Sequence, residues 1–230
     1  MRAMILAAGR GERMRPLTDH CPKPLLPAAG KPLIVYHLER LAAAGFRNIV
    51  INHAHLGEQL VTALGDGRQW GLSITWSPEP VGALETAGGI RRALAHLDDG
   101  NDSPFLVING DIYCDWPMRA RTLAENDLAH LILVDNPPQH LAGDFTLTGD
   151  RVVDKSDGAA TLTFAGIGFY RPSLFCNLIA GEPAKLAPLL RSAMADEHVS
   201  GEHYQGRWED VGTPQRLAQL DAELRARPAH

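Results

Sequence analysis

The feature that most constrains the fold is an alternation. Short apolar runs of strand length take turns with segments whose apolar residues recur at helical spacing. Residues 3–7, Asn48–Asn52, Leu72–Ser77, Phe105–Ile108 and Leu128–Val134 read as strands. Leu33–Ala44, Glu58–Leu64, a segment N-capped by Thr86 and running to about His96, and Met118–Glu125 read as helices. Gly45 and Gly65 stop the first two of these helices, as glycine does after a last helical turn. This order predicts βαβ units and a mostly parallel sheet. After Asn136-Pro-Pro the pattern changes. Asp144–Leu147 and Arg151–Asp154 flank Thr-Gly-Asp, a hairpin signal; Thr161–Tyr170 is a longer strand, Leu186–Met194 a helix and His203–Trp208 a last strand. Thr213-Pro214 opens a C-terminal helix, with Thr as N-cap and Pro at the first helical position. The expectation is one α/β domain, residues 1–230, with a nucleotide-binding half (1–135) and an α+β half (136–230) able to hold a second substrate.

Composition supports an ordinary globular chain. It has 230 residues, 45% hydrophobic and 21% charged, enough to bury a core and too apolar for disorder. A net charge of −5 argues against a nucleic-acid scaffold, which shows a basic excess. Cys21, Cys114 and Cys176 are odd in number and widely spaced, without a CxxC pair, which fits a reducing compartment and no zinc site. The apolar stretch at the N-terminus is too short for a signal peptide and runs into a Gly-rich turn. No run approaches the ~18 apolar residues of a membrane span. The expectation is a cytoplasmic protein, monomeric by default, with no membrane or nucleic-acid partner.

The first strand ends in Leu6-Ala-Ala-Gly-Arg-Gly-Glu-Arg-Met-Arg-Pro-Leu-Thr18. Small residues here let backbone N–H groups approach anionic oxygens, at the strand end where α/β sheets bind ligands. The loop is neither a dinucleotide fingerprint, since no third Gly follows Gly9-x-Gly11, nor a P-loop. It carries instead Arg10, Arg13 and Arg15, then Lys23 between two prolines, and Lys31. Lys occurs only at 23, 31, 155 and 185, so a lysine with a φ-restricted neighbour on each side stands out. Together these make either a polyphosphate clamp or a surface turn with scattered charges. Further on, Phe105–Ile108 delivers Asn109-Gly110-Asp111 at a strand end, a place for a metal or phosphate ligand or a plain turn. Asp210, in Trp208-Glu-Asp-Val-Gly-Thr-Pro214, is a possible second carboxylate, with Glu209 ranked behind it. Two acids plus phosphate oxygens suit Mg²⁺.

The stretch LAAGRGERMRPLTDHCPKPLLPAAGKPLI resembles the signature of the sugar-1-phosphate nucleotidylyltransferases, long and without gaps. The resemblance implies a Rossmann-like three-layer sandwich with a mostly parallel central sheet and a small α+β sugar-binding extension, the nucleotide-diphospho-sugar transferase fold. It implies that backbone around Ala8, Gly9, Gly11 and Glu12 holds a nucleoside triphosphate. Arg13 would contact the departing pyrophosphate, and Lys23 the α-phosphate and the sugar phosphate. Asn-Gly-Asp and the Trp208–Pro214 stretch recur in this family, which implies Asp111 and Asp210 as Mg²⁺ ligands and Asn109 as a nucleotide contact. Leu84–Ile90 looks like the base-reading loop, with Gly88 against the nucleobase. Asp144, Gly166 and Lys185 match places where relatives hold the sugar phosphate; Lys155 lacks the family's Glu-Lys-Pro context. The stretches INHAHLGEQL, LVDNP, GDF, TLTFAGI and KLAPLLR are most similar to short bacterial uridylyltransferases of cell-wall recycling that take N-acetylmuramate α-1-phosphate. The substrates implied are UTP and that sugar 1-phosphate.

Other readings stay open. A mannose-1-phosphate guanylyltransferase or a glucose-1-phosphate uridylyl- or thymidylyltransferase would carry the same motifs. A non-catalytic nucleotide-sugar sensor is a different class, against which the presence of Arg13, Lys23, Asp111 and Asp210 together argues. The missing third Gly argues against a Rossmann oxidoreductase. His53-x-His55 has no third metal ligand in view, Cys114 has no nucleophile's setting, and the tail from Arg225 is expected to fray. At this length no appended acetyltransferase domain is expected.

Overall fold

The computed structural model describes residues 1–80 and 84–226. In chain order the strands are β1 (Ala3–Leu6), β2 (Pro27–Ala28), β3 (Lys31–Pro32), β4 (Asn48–His53), β5 (Ser73–Pro78), β6 (Phe105–Asn109), β7 (Ile112–Cys114), β8 (Ala129–Val134), β9 (Phe145–Thr148), β10 (Arg151–Asp154), β11 (Thr163–Tyr170), β12 (Val199–His203) and β13 (Trp208–Asp210). The helices are α1 (Leu33–Ala43), α2 (Gly57–Leu64), α3 (Glu85–Leu97), α4 (Leu186–Ala195) and α5 (Pro214–Ala226).

Nine strands form one sheet in the order β5-β4-β1-β6-β11-β8-β12-β10-β9. The first four are parallel, as the alternation predicts. β11 then runs antiparallel to both β6 and β8, and β12 is parallel to β8. The carboxyl ends of β1, β4, β6, β8 and β12 therefore share one edge of the sheet. The pleat sorts the core into layers. Ala3 and Ile5 face α1 and α2, through Ile34, Leu38, Leu41, Leu60 and Leu64. Met4 and Val50 face α3 and α4, through Ile90, Leu94, Leu186 and Leu190. A third cluster packs α5 against the first loop through Met14, Leu26, Val211 and Leu217. No described helix is long and apolar enough to cross a membrane.

Three local expectations are corrected. Met118–Glu125 is not helical; the chain runs as an irregular strap. Tertiary contacts override its helical propensity: Trp116 and Arg121 both donate to the Glu202 carboxylate, and Trp116 and Met118 are buried. The strand expected at His203–Trp208 is two strands, β12 ending at His203 and β13 starting at Trp208, with a turn between them. β7 went unread because three residues carry no period; it pairs with β13 as a separate ribbon. Thr86 does not cap α3, which starts one residue earlier, at Glu85. The Ala184 carbonyl, from the second half, instead accepts the N–H groups of Ala87 and Gly88 at 2.9 and 3.1 Å. Thr213 does cap α5, accepting the Arg216 N–H. Arg225, where fraying was expected, is still helical and paired with Asp221; residues 227–230 lie outside the described residues.

Candidate active site

Register builds the site. Leu6 pairs with Asn52 on one side and Asn109 on the other, and Asn52 pairs with Ser77. Leu6, Asn52 and Asn109 thus lie on one rung at the carboxyl ends of their strands, at the point where the chain order diverges on either side of β1. That is where open α/β sheets bind ligands. A cavity of about 460 Å³ opens there.

The first loop forms one wall. Gly11 adopts a left-handed conformation (φ 68°) that turns the chain into a short 3-10 segment at Glu12–Met14. The Thr18 hydroxyl donates to the Gly11 carbonyl at 2.8 Å. The loop is tied from outside by the INHAHLGEQL stretch: Gln59 donates to the His20 carbonyl at 3.1 Å, and the His55 ring lies 3.4 Å from the Thr18 carbonyl. Those residues thereby gain a scaffold role. No cluster of three metal-capable side chains occurs among the described residues.

Ala8, Gly9, Gly11, Glu12, Arg13, Lys23, Asn109 and Asp111 all line this cavity. Lys23 opens a 3-10 turn between its two prolines and is only 8% exposed. Its Nζ donates to Asp111 Oδ2 at 2.6 Å. An ammonium carries three donors, so two stay available. Arg13 has no ionic partner among the described residues, whereas Arg15 is spent on Asp19 and Lys31 on Glu39. Within the basic cluster, the cavity therefore receives the charge of Arg13 and Lys23.

The other predicted positions sit differently. Asp210 is not in the cavity wall, but Gly212, two residues on, is. Antiparallel pairing sets Asp210 opposite Ile112, and the Val211 N–H donates to the Asp111 carbonyl, so both acids share one ribbon. Asp210 Oδ2 accepts from Arg216 at 2.6 Å. Gly88 does not line the cavity; a Cβ there would meet the Glu182 carbonyl at 2.5 Å, so this glycine serves helix packing. Asp144 has both oxygens engaged, by the Phe164 N–H at 2.9 Å and by His140 at 3.0 Å. Gly166 presses on the Asn109 side chain, and Lys185 is exposed at the start of α4.

Two lining residues escaped the sequence reading, Asn52 and Glu79, while Glu85 and Thr86 bring the start of the Leu84–Ile90 stretch to the cavity wall. Asn52 is a buried cross-brace. It accepts the Ala7 N–H at 2.8 Å and donates to Glu79 Oε1 at 2.6 Å. Gly89 makes room for that pair, since a Cβ there would meet Glu79 Oε1 at 2.5 Å. A polar residue closing an apolar strand was the available signal for Asn52. Glu85 is held at φ 57°, a conformation an L-residue adopts at a cost, at the cavity wall. Burial pushes the Cys114 thiol up to about 11, which removes it as a nucleophile at neutral pH. Burial, then the nearby Glu223, raises Glu209 above the usual carboxylate range.

Comparison with known proteins agrees with this geometry. The chain is 54% identical to the N-acetylmuramate alpha-1-phosphate uridylyltransferase of Neisseria meningitidis serogroup B, covering 96% of this chain and 97% of that one. It is 36% identical to the protein of the same name from Caulobacter vibrioides, covering 97% and 96%. A mannose-1-phosphate guanyltransferase from Candida albicans is 33% identical, over 93% of this chain and 62% of that one. In fold, the chain matches a Bacillus anthracis protein assigned as a glucose-1-phosphate thymidylyltransferase and crystallised with sucrose. The TM-score is 0.82 at 21% identity, covering 100% of this chain and 97% of that one. The nucleotidyl transferase family model matches residues 2–227, and the chain belongs to that family.

Proposed function

We propose that the protein transfers a uridylyl group from UTP to N-acetylmuramate α-1-phosphate, giving UDP-N-acetylmuramate and pyrophosphate. The observation that carries this is the likeness to the Neisseria uridylyltransferase along nearly the whole of both chains, joined to a cavity of about 460 Å³ with a fixed lysine in its wall. The setting would be cytoplasmic recycling of peptidoglycan sugars.

The reaction is an in-line displacement at the α-phosphorus. An oxygen of the sugar phosphate forms the new P–O bond as the bond to pyrophosphate breaks, and the electron pair leaves with pyrophosphate. A phosphate monoester is already ionised at pH 7, so no general base is required. Lys23, fixed between prolines and braced by Asp111, offers its spare donors to phosphate oxygens. Arg13 supplies the cavity's unpaired positive charge to the departing pyrophosphate. The free backbone of Ala8–Gly11 cradles the triphosphate. Catalysis is then positioning plus charge neutralisation.

Asp111 and Asp210 suit Mg²⁺. Each has one oxygen engaged by a cation and one without a hydrogen-bond partner among the described residues, and hard oxygen donors on one ribbon match that ion's preference. Bound there, the ion would neutralise charge on the triphosphate.

A pyrophosphate-release assay across nucleoside triphosphates and sugar 1-phosphates tests the reading. Release with UTP and N-acetylmuramate 1-phosphate is expected. Release confined to GTP with mannose 1-phosphate would overturn the substrate assignment, and nucleotide binding without release under any pairing would overturn the activity.

A further inference from the structure

Of the two acids on the β7–β13 ribbon, Asp210 is paired with a cation that the proposed reaction does not use. Arg216 Nη1 donates to Asp210 Oδ2 at 2.6 Å, and both side chains are half-buried. We infer that Arg216 is a positioning residue that competes with the metal ion for Asp210, and so sets how tightly the ion is held. The inference rests on the reading of Asp111 and Asp210 as Mg²⁺ ligands given above.

The pair is built into the local fold. Asp210 ends β13, and Thr213 caps α5 by accepting the Arg216 N–H at 3.3 Å, which sets Arg216 in the first turn of the helix. Gly212 lies between them. A Cβ there would stand 2.7 Å from Arg216 Nη2 and 3.0 and 3.1 Å from the two Asp210 oxygens, so a larger residue would push into the pair. The helix dipole disfavours a cation in a first turn, and that turn holds no acid of its own. The partner that accounts for Arg216 there is Asp210.

The contrast with Lys23 shows what the charge can do. Lys23 lines the first cavity, with donors to spare for phosphate oxygens. Arg216 does not line that cavity, although Gly212 does; it lines a second one, of about 360 Å³, at the ends of β8 and β13. The Asp210–Arg216 pair thus stands between the two cavities, and its guanidinium acts on Asp210 and not on the triphosphate. Two effects oppose each other there. Holding the carboxylate in one direction helps a metal ion, but aspartate is short and has little rotamer freedom to lose. A divalent ion and a guanidinium on one half-buried carboxylate repel each other, with incomplete screening. The repulsion outweighs the orientation, so Arg216 must withdraw as Asp210 takes up an ion. The second cavity gives it room to do so, lined by Arg216 itself and by Glu209, which has no ionic partner among the described residues.

Mn²⁺ titrated into the whole protein without nucleotide, with the free ion followed by electron paramagnetic resonance, tests this apart from turnover. Arg216→Met keeps an apolar stem and removes the charge. Its Kd for Mn²⁺ should fall about fivefold, the scale of one ion pair. Its kcat at saturating Mg²⁺ and substrates should fall as well, because Asp210 loses its fixed direction. Tighter metal with slower turnover is a split that a merely structural residue would not produce. Arg216→Lys, which keeps the charge, should return the Kd toward wild type. An unchanged Kd in Arg216→Met overturns the inference, and so does a raised one, which would make Arg216 an orienting group only. Should Arg216→Met fail to fold, Arg216→Gln carries the decision by the same titration. Asp210→Asn separates this inference from the metal reading. Mn²⁺ binding left intact in that variant would remove Asp210 as a ligand, and the metal assignment and the inference would fall together.

Discussion

The two halves of the chain treat their polar groups in opposite ways. In the first half, the site's donors and charges are left facing a cavity: the Ala8–Gly11 backbone, Arg13 and two of Lys23's three donors. In the second half, two of the three positions matched by resemblance are engaged within the fold: Asp144 holds the β11 backbone and Gly166 packs on Asn109, while Lys185 is exposed and lines neither cavity. Lys155, which lacks the family context, donates to the Gly143 carbonyl at 3.2 Å. A signature loop reports chemistry directly, because the triphosphate it serves is the same whatever the acceptor. A sugar site is assembled from several distant segments, so a matched residue type there is weak evidence of a ligand contact.

The sharpest way to break this contrast is at the first cavity. Asp111→Ala and Lys23→Ala should each lower kcat/KM by at least ~10²-fold, about 2.7 kcal/mol in transition-state terms. Near-normal turnover in either variant, followed by pyrophosphate release, would mean the Lys23–Asp111 pair is only structural. The next effect concerns two buried histidines of the first half. His37 on α1 and His130 on β8 are each lowered from 6.5 to about 4, chiefly by burial. Between those values the unfolded chain binds protons that the folded chain refuses, so stability falls as pH drops from 6.5 toward 4. Each histidine contributes up to about 1.4 kcal/mol per pH unit in that window. Urea titrations at several pH values should show the slope, and His37→Leu should remove its own share; a slope unchanged by that substitution would contradict its buried neutral state.

Asn52→Ala is a smaller probe of the same wall. It strips a partner from both the Ala7 N–H and Glu79, so it should cost about 1–3 kcal/mol of stability and weaken UTP binding measured by calorimetry. Unaltered UTP affinity would limit Asn52 to a folding role. The smallest expected effect falls in the second half. Asp144→Ala should cost about 1 kcal/mol through the lost Phe164 bond and leave the sugar KM unchanged. A tenfold rise in that KM, well outside this expectation, would return Asp144 to the sugar site and erase the contrast drawn here.

Much was legible because it is local. Strand and helix periods, the glycine stops after Leu41–Ala44 and Leu64, the Thr213 cap and the signature loop are each written in a few consecutive residues. The parallel order of β5-β4-β1-β6 follows from helices that must cross back over the sheet. The errors share a cause as well. Met118–Glu125 has a helix's composition, yet Glu202, some eighty residues away in sequence, holds Trp116 and Arg121 in an extended strap.

By itself, then, the sequence determined the layered α/β architecture and the loop that brings Arg13 and Lys23 to the cavity wall. Those depend on φ/ψ preference, side-chain period and charge, which act between near neighbours. Only the tertiary structure decided that Asn52 reaches the same rung as Leu6 and bonds to Glu79, and that Asp111 and Asp210 share a ribbon. It alone set a second cavity beside the first across the Asp210–Arg216 pair. Those facts depend on strand order and register, which bring together residues far apart in sequence, such as Asp111 and Asp210, 99 positions apart.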